Sequence, residues 1–149
     1  MIDTHCHVHF KAYEEDMEEV IRRTRDKGVR MITIGTQTDT SKKGIEVAEE
    51  PEGIWCTVGV HPSHTHAHTL HVDENEAINT REEAFDKAYY KQLVESSPKV
   101  VAIGEVGLDY YRLEGGAEEV KETQREQMRL AIELANETNK PLVLHVRDA

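Results

Sequence analysis

The chain has 149 residues, a formal net charge of −11, and a composition that is 32% charged and 38% hydrophobic. A chain of this length normally forms one domain with its own hydrophobic core, so residues 1–149 are expected to contain no interdomain linker. The acidic balance argues against a broad basic surface for nucleic acid, because non-specific affinity for phosphates comes largely from Lys and Arg. Phosphate chemistry stays open at a metal site, where bound cations would make a pocket locally positive.

The sequence also disfavours membrane and secreted proteins. No apolar run approaches the ~20 residues of a membrane span, and no basic and apolar leader with a cleavage site opens the chain. Cys6 and Cys56 do not form a Cys-x-x-Cys pair and lie in apolar, strand-like runs, so buried thiols are expected rather than a disulfide. These features predict a cytoplasmic protein.

The first ten residues, Met-Ile-Asp-Thr-His-Cys-His-Val-His-Phe, predict a strand that begins at the N-terminus. Because side chains alternate along a strand, His5 and His7 would share one face. Neutral imidazole suits Zn, Cu, Fe and Ni, so this pair can form half of a metal site. Taken alone, the pair is equally compatible with solvated or buried structural histidines.

Helical and strand-like patterns then alternate along the chain. Apolar residues at three- and four-residue spacing predict helices, and short apolar runs predict buried strands. The predicted helices cover residues 13–27, 40–50, 80 to near Pro98, and 118–138. The strands predicted after the first cover residues 29–34, 54–60, 100–103 and 142–146. This alternation predicts a parallel sheet with right-handed crossovers.

Capping signals mark the start of two predicted helices. Thr40 or Ser41 is expected to cap the second helix. The segment from Thr80 to Glu83 matches a capping box for the third helix. The buried stripe of that helix is then predicted to be Ala84, Phe85, Ala88, Tyr89 and Leu93.

A polar segment from Pro62 to Asn79 is predicted to be a loop. Its histidines, at spacings of two or three residues, are His64, His66, His68 and His71. A histidine-rich tract can bind metal, but no carboxylate or cysteine framework accompanies these four residues. We expect a solvated loop with at most adventitious metal binding, and the alternative that this tract is the true metal-binding element stays open.

Residues with chemical potential follow the predicted strands. Glu105 comes just after the fourth strand, between Gly104 and Gly107, which permit tight backbone geometry. In α/β sheets and (β/α)₈ barrels, ligands and catalytic groups gather at the C-terminal ends of the strands. The residues at or just beyond these ends are His5, His7, His61, Glu105 and His145. Together they predict a functional site at this edge of the sheet.

Four segments, in this order, resemble the TatD family of metal-dependent hydrolases, a branch of the amidohydrolase-like (β/α)₈ barrels. They are residues 2–7 (Ile-Asp-Thr-His-Cys-His), 59–62 (Gly-Val-His-Pro), 104–111 (Gly-Glu-Val-Gly-Leu-Asp-Tyr-Tyr) and 142–149 (Leu-Val-Leu-His-Val-Arg-Asp-Ala). The resemblance spans essentially the whole chain. It implies a TIM-barrel type of α/β fold and a divalent-metal-dependent phosphodiesterase of deoxyribonuclease type, with DNA or another phosphodiester as its substrate.

The resemblance implies a centre with two divalent ions, which would be Zn, Mg or Mn. His5 and His7 would bind one ion and His145 the other, while Glu105 would bridge both as the catalytic carboxylate. Two ions held ~3.5–4 Å apart polarise a phosphoryl oxygen, activate a water and stabilise the leaving oxygen. Asp3 is expected either to orient a histidine or to have a purely structural role.

The resemblance also implies that His61, Arg147 and Arg112 lie near the substrate phosphate. A guanidinium can contact phosphate through two parallel hydrogen bonds, although Arg147 could instead pair with a nearby carboxylate. The side chains of Tyr110 and Tyr111 could stack on a nucleobase or pack against a neighbouring loop.

The chain departs from the family pattern in its number of strands. About five of the eight strands of such a barrel are predicted within residues 1–149, so the C-terminal part of the single domain would be absent. Two further metal ligands of the family, a histidine after the fifth strand and an aspartate after the eighth, would lie beyond residue 149. An open sheet edge is expected to pair with another copy or a complementing chain, and activity of this chain alone is expected to be weak or absent.

Two other functions remain compatible with the sequence. Activated water at a metal centre also attacks carbonyl groups, so an amide or ester hydrolase is the near alternative. A catalytically incomplete metal-binding or interaction module, which recruits a partner by strand addition, is the alternative from a different class.

Overall fold

The computed structural model describes residues 1–65, 82–111, 113 and 117–149, together with the backbone of two short strands at 69–71 and 77–79. The predictions made for Arg112, His66, His68 and Thr80, and for the side chain of His71, therefore lie outside the described residues.

Five parallel strands form the main sheet. They are hydrogen-bonded side by side in the order β1 (Ile2–Cys6), β2 (Arg30–Ile34), β3 (Ile54–Val58), β6 (Val100–Asp109) and β7 (Leu142–Arg147). A separate antiparallel pair consists of β4 (Thr69–His71) and β5 (Ala77–Asn79). The helices are α1 (Met17–Asp26), α2 (Thr38–Glu49), α3 (Lys87–Ser96) and α4 (Ala117–Thr138). The predicted parallel α/β architecture with five strands is confirmed.

The central strands carry the hydrophobic core, and the two end strands are exposed. Among the largest fully buried apolar side chains are Ile34, Ile54, Val58, Val100, Ile103 and Leu134. On the end strands, by contrast, Ile2 is 52% exposed, Leu144 is 51% exposed and Val146 is 61% exposed. The sheet therefore ends at β1 and β7 with apolar side chains in contact with solvent. No helix in the described part of the chain is long and apolar enough to cross a membrane.

The predicted start of α3 at residue 80 is wrong. The helix begins at Lys87, where Asp86 caps it by accepting the Tyr89 N–H at 3.0 Å. The Glu83 carboxylate accepts hydrogen bonds from the backbone N–H and the hydroxyl of Thr38 and from the Tyr90 hydroxyl. Glu83 therefore connects α2 with α3.

The buried stripe predicted for α3 is correct only in part. Phe85 is buried, and Tyr89 and Leu93 are half-buried and pack against the core, whereas Ala84 and Ala88 are exposed. The buried side chains of this segment are Phe85, Tyr90 and Val94. The rings of Phe85 and Tyr90 stack in parallel, with centroids 4.6 Å apart.

Other predicted boundaries shift by a few residues. α1 begins at Met17 rather than at residue 13, since Lys11–Tyr13 form a short 3-10 turn. α2 begins at Thr38, because Gln37 is the capping residue and exchanges hydrogen bonds with Thr40. The loop predicted for residues 62–79 is wrong where a 3-10 turn, Pro62–His64, and the strands β4 and β5 occur.

The largest difference lies in β6, which was predicted to end at Ile103 and continues to Asp109. Glu105 therefore lies within a strand rather than just beyond one. The glycines that resemble loop residues in the sequence allow close contact between strands, since Gly107 pairs directly with His145 on β7. A Cβ atom at Gly107 would overlap the His145 carbonyl oxygen, and the φ angle of Gly107 is +150°.

Substitution Gly107→Ala is expected to lower the free energy of unfolding by about 3 kcal/mol or more, because it adds backbone strain and a clash with β7. Urea denaturation followed by circular dichroism measures this change. The matched control is Gly28→Ala, where φ is +65° and nothing lies within 4 Å of the added Cβ. The control should cost about 1 kcal/mol; equal losses for the two variants would contradict the close approach of β6 and β7.

Candidate metal centre

Glu105 occupies the centre of the C-terminal edge of the sheet. It is 8% exposed, and its backbone N–H donates to the Gly35 carbonyl oxygen at 2.8 Å. Gly35 follows β2, which is separated from β6 by β3, so this hydrogen bond shows that the strand ends converge as the sheet curls. Curling also explains how ligands from the two outermost strands reach the same carboxylate.

The two oxygens of the Glu105 carboxylate face different histidines. Its Oε2 lies 3.4 Å from His5 Nε2 on β1. Its Oε1 lies 3.4 Å from His145 Nδ1 on β7. The carboxylate thus lies between two groups of potential ligands.

His7 completes the first group. One ligand atom from each of His5, His7 and Glu105 lies within 4.8 Å of the others. The Nδ1 atom of His7 is 3.0 Å from the Ile34 carbonyl oxygen. A carbonyl only accepts, so His7 carries its proton on Nδ1 and keeps a lone pair on Nε2. Burial lowers the pKa of His7, which favours this neutral, ligand-competent form.

Asp109 fixes the orientation of His145 in the second group. The Oδ2 atom of Asp109 lies 3.0 Å from His145 Nε2, and Asp109 is 6% exposed. A carboxylate in contact with Nε2 favours the tautomer with its proton there, which leaves the Nδ1 lone pair directed at Glu105. This carboxylate, histidine and metal arrangement recurs in metalloproteins.

The distances and donor types fit divalent ions. Imidazole and carboxylate ligands lie about 2.0–2.2 Å from Zn²⁺, so two ligand atoms of one tetrahedral ion are about 3.4 Å apart. The separations from Glu105 to His5 and to His145 are both 3.4 Å. The lone pairs of His7 and His145 are kept available by hydrogen bonds at the opposite ring nitrogen. The described residues therefore fit a metal centre.

His61 lies beside this centre, with its ring centroid 4.2 Å from that of His145. The backbone N–H of Ser63 donates to His61 Nδ1 at 3.1 Å, so the neutral ring carries its proton on Nε2. Burial, followed by the nearby His145, lowers the pKa of His61 to about 3 and keeps the ring neutral. Its Nε2 lies 3.8 Å from Glu105 Oε1, close enough to share an ion by distance alone. In the tautomer that Ser63 favours, however, His61 Nε2 carries the proton, so it is a hydrogen-bond donor rather than a metal ligand.

Gln124 on α4 ties two site segments together. It is 1% exposed, and its Oε1 accepts the Asp109 N–H at 2.9 Å. Its Nε2 donates to the carbonyl oxygens of Asp109, at 3.1 Å, and Pro62, at 3.3 Å. Pro62 directly follows His61, so one buried amide connects the residue that orients His145 with the segment that carries His61.

Sequence reasoning gave no role to Asp109 or Gln124, although both have a detectable signal. Asp109 lies four residues after Glu105, and therefore on the same face once the strand is extended. Gln124 lies four residues after Val120 in the helix, so it is a polar residue within the apolar stripe.

The remaining predicted residues lie around this centre. Asp3 Oδ1 accepts the backbone N–H of His5 at 3.1 Å, so it contacts the main chain rather than the imidazole ring. The guanidinium carbon of Arg147 lies 4.0 Å from the ring centroid of Tyr111, and Lys121 lies over the ring of Tyr110. Within the described part of the chain, Arg147 forms no ion pair with a carboxylate.

Comparisons with known proteins agree with this geometry. Residues 2–149 match the family described as TatD related DNase. The chain is 38% identical to the uncharacterized metal-dependent hydrolase YabD of Bacillus subtilis, with 100% of this chain and 51% of the relative covered. It is 35% identical to the 3'-5' ssDNA/RNA exonuclease TatD of Cronobacter sakazakii, with 100% of this chain and 50% of the relative covered.

Solved structures give the same result. The TatD homologue YJJV of Escherichia coli K12 matches with a TM-score of 0.77 and 25% identity, over 99% of this chain and 51% of that one. A TatD family hydrolase from Entamoeba histolytica matches with a TM-score of 0.75 and 26% identity, over 99% of this chain and 50% of that one. The chain spans about half the length of these relatives. The predicted resemblance is confirmed, and the chain belongs to the TatD related DNase family.

Proposed function

We propose that the protein is a divalent-metal-dependent phosphodiesterase of deoxyribonuclease type, with two ions bridged by Glu105. The observation that carries this proposal is that each carboxylate oxygen of Glu105 faces a different histidine, at 3.4 Å in both cases. His5 and His7 would hold one ion and His145 the other. The name of the Cronobacter sakazakii relative, an exonuclease for single-stranded DNA and RNA, supports a phosphodiester strand as the substrate.

The imidazole ligands of this centre suit Zn, and its carboxylate suits Mg and Mn, so these three ions are the candidates. Two such ions, when bound, would polarise a phosphoryl oxygen and lower the pKa of a bound water. The chain's own residues would orient the substrate: the Nε2–H of His61 donates to a phosphate oxygen, and the planar guanidinium of Arg147 offers paired donors. Both cysteines are free thiols, which supports the proposal of a cytoplasmic location.

Removing the bridging carboxylate should abolish binding of both ions. Isothermal titration of Mn²⁺ or Zn²⁺ should give two ions per wild-type chain, and Glu105→Ala should lose both tight sites because it removes a ligand from each. The matched control is Glu126→Ala, an exposed carboxylate on α4, which should leave the stoichiometry unchanged. Two tight sites that persist in Glu105→Ala would contradict the bridging role.

Hydrolysis should depend on the same residue. Single- and double-stranded DNA would be incubated with Mg²⁺, Mn²⁺ or Zn²⁺, beside a panel of amide and ester substrates. Because the sheet is open at β1 and β7, next to His5 and His145, we expect slow hydrolysis or none from this chain alone. DNA cleavage at an unchanged rate in Glu105→Ala would rule out the metal mechanism, and cleavage confined to amides or carboxylic esters would replace the phosphodiesterase proposal.

Gln124 is proposed to position the second metal site through Asp109. Substitution Gln124→Leu removes the acceptor of the Asp109 backbone N–H and leaves that N–H unpaired. The affinity for the ion beside His145 should then fall about tenfold, as it does when other residues that orient metal ligands are lost. The ¹⁵N shifts of His145 should show a mixture of tautomers. Gln127→Leu, on the same helix but bonded to the Glu83 carbonyl oxygen, is the control. Equal weakening of both ions, or an unchanged His145 tautomer, would show that Gln124 only stabilises the fold.

A second proposal concerns the open ends of the sheet, which we expect another polypeptide to cover, either a second copy or a complementing chain. The exposed apolar residues Leu144 and Val146 on β7 support it. Light scattering at micromolar concentration should show particles larger than the 17.0 kDa chain, and a Leu144→Lys, Val146→Lys double variant should be monomeric. Ile132→Lys, at an exposed position of α4, should associate like the wild type. A folded, strictly monomeric wild-type chain would contradict self-association.

A further inference from the structure

Tyr111 and Arg147 form a stacked pair at the margin of the metal centre. The guanidinium carbon of Arg147 lies 4.0 Å from the centroid of the Tyr111 ring, and Tyr111 remains 59% exposed. Arg147 covers one face of the ring, and more than half of the Tyr111 surface is still open to solvent. An arginine stacked on an aromatic ring keeps its in-plane N–H groups free to bind an anion.

The pair is anchored to the same carboxylate that orients His145. The Oδ2 atom of Asp109 accepts a hydrogen bond from His145 Nε2. The Oδ1 atom of the same carboxylate accepts one from the Tyr111 backbone N–H at 3.1 Å. On the other side, the Tyr110 N–H donates to the Arg147 carbonyl oxygen at 2.9 Å. The position of the Tyr111 backbone is therefore coupled to that of a metal ligand.

The register places the pair next to the centre. Asp109 pairs with Arg147, just as Gly107 pairs with His145. Arg147 lies two residues after His145 on the same face of β7, which places it about 6.6 Å further along the strand. A substrate with its reacting phosphate at the metal centre would thus extend over Arg147 and Tyr111.

We propose that Tyr111 and Arg147 form a nucleotide subsite for single-stranded nucleic acid, in which a base stacks on the Tyr111 ring and an adjoining phosphate binds Arg147. The inference rests on the proposed phosphodiesterase function and assigns to the Tyr111 ring the contact with an unpaired base. In a duplex, bases are stacked on each other and paired, so they cannot reach an aromatic side chain without being extruded.

The charge of the chain makes a stacking contribution important. With a formal net charge of −11, the protein lacks the broad basic surface that usually supplies affinity for phosphates. Stacking of a base on an aromatic side chain does not depend on net charge and tolerates every base sequence. One exposed ring beside one guanidinium that forms no ion pair with the described residues is a minimal site for a nucleotide unit.

The test compares two fluorescein-labelled strands of equal length, an oligothymidylate and an abasic strand that has the same phosphates but no bases. Fluorescence anisotropy with Mg²⁺ measures their affinity for the 149-residue chain, and gels show whether either strand is cut. The wild type should bind the oligothymidylate about tenfold tighter or more, which corresponds to one base stack.

Three variants, with Tyr13→Leu as the matched control, identify the source of that preference. Tyr111→Leu should reduce the ratio of the affinity for the oligothymidylate to that for the abasic strand to near one. Tyr111→Phe should retain this ratio because the aromatic ring is kept. Arg147→Gln should weaken both strands, since both carry phosphates. Tyr13→Leu, a tyrosine that is 40% exposed in the 3-10 turn after β1, should keep the wild-type ratio.

The outcomes separate the subsite from the proposed function. If the wild type binds or cuts both strands equally well, the phosphodiesterase proposal stands and the base-stacking subsite is wrong. If Tyr111→Leu changes the association state of the chain and not the affinity ratio, the ring packs against protein instead. If the wild type binds neither strand, the nucleotide subsite is wrong. The phosphodiesterase proposal fails separately, if the Mn²⁺ titration shows no ion bound at Glu105.

Discussion

The buried carboxylate of Glu105 is the constraint on which the rest of the site depends. It is 8% exposed, and a buried charge is costly unless it is paired. Among the histidines around it, burial lowers the pKa of His7 and lowers that of His61 to about 3, which favours the neutral form of both rings. Divalent cations would balance this charge while using neutral imidazoles as ligands. The charge and the donor types of these residues therefore fit a divalent-metal site.

The curl of the sheet makes this arrangement possible. His5 and His145 lie on the first and last of five strands, and a flat sheet would separate them by the width of three others. Close backbone contact between strands allows the curvature: a Cβ atom at Gly59 would lie 2.7 Å from the carbonyl carbon of Gly104, just before Glu105. The two end strands, β1 and β7, carry both histidines nearest to Glu105 and exposed apolar side chains, so the proposed metal site lies beside the open ends of the sheet.

Much of the fold and most of the residues of the candidate site could be predicted from the sequence. The alternation of helical and strand-like apolar patterns predicted the parallel sheet. The positions of the predicted strand ends identified the candidate site residues His5, His7, His61, Glu105 and His145, which the structure brings together. The sequence did not reveal the extension of β6 to Asp109, because glycines such as Gly104 and Gly107 are typical of loops. Their place in a strand becomes evident only from the pairing of β6 with β7. For that reason the contact of Asp109 with His145 was missed. The start of α3 shows the same limit, because the helix begins at Lys87 with Asp86 as its cap and not near residue 80.

Anomalous X-ray diffraction from crystals of the chain soaked in Mn²⁺ or Zn²⁺ tests the central claim most directly. The account predicts two anomalous peaks on opposite sides of the Glu105 carboxylate, one beside His5 and His7 and the other beside His145. A single peak near His64 and His71, with none at Glu105, would contradict it, and the histidine-rich segment would then be the metal-binding element.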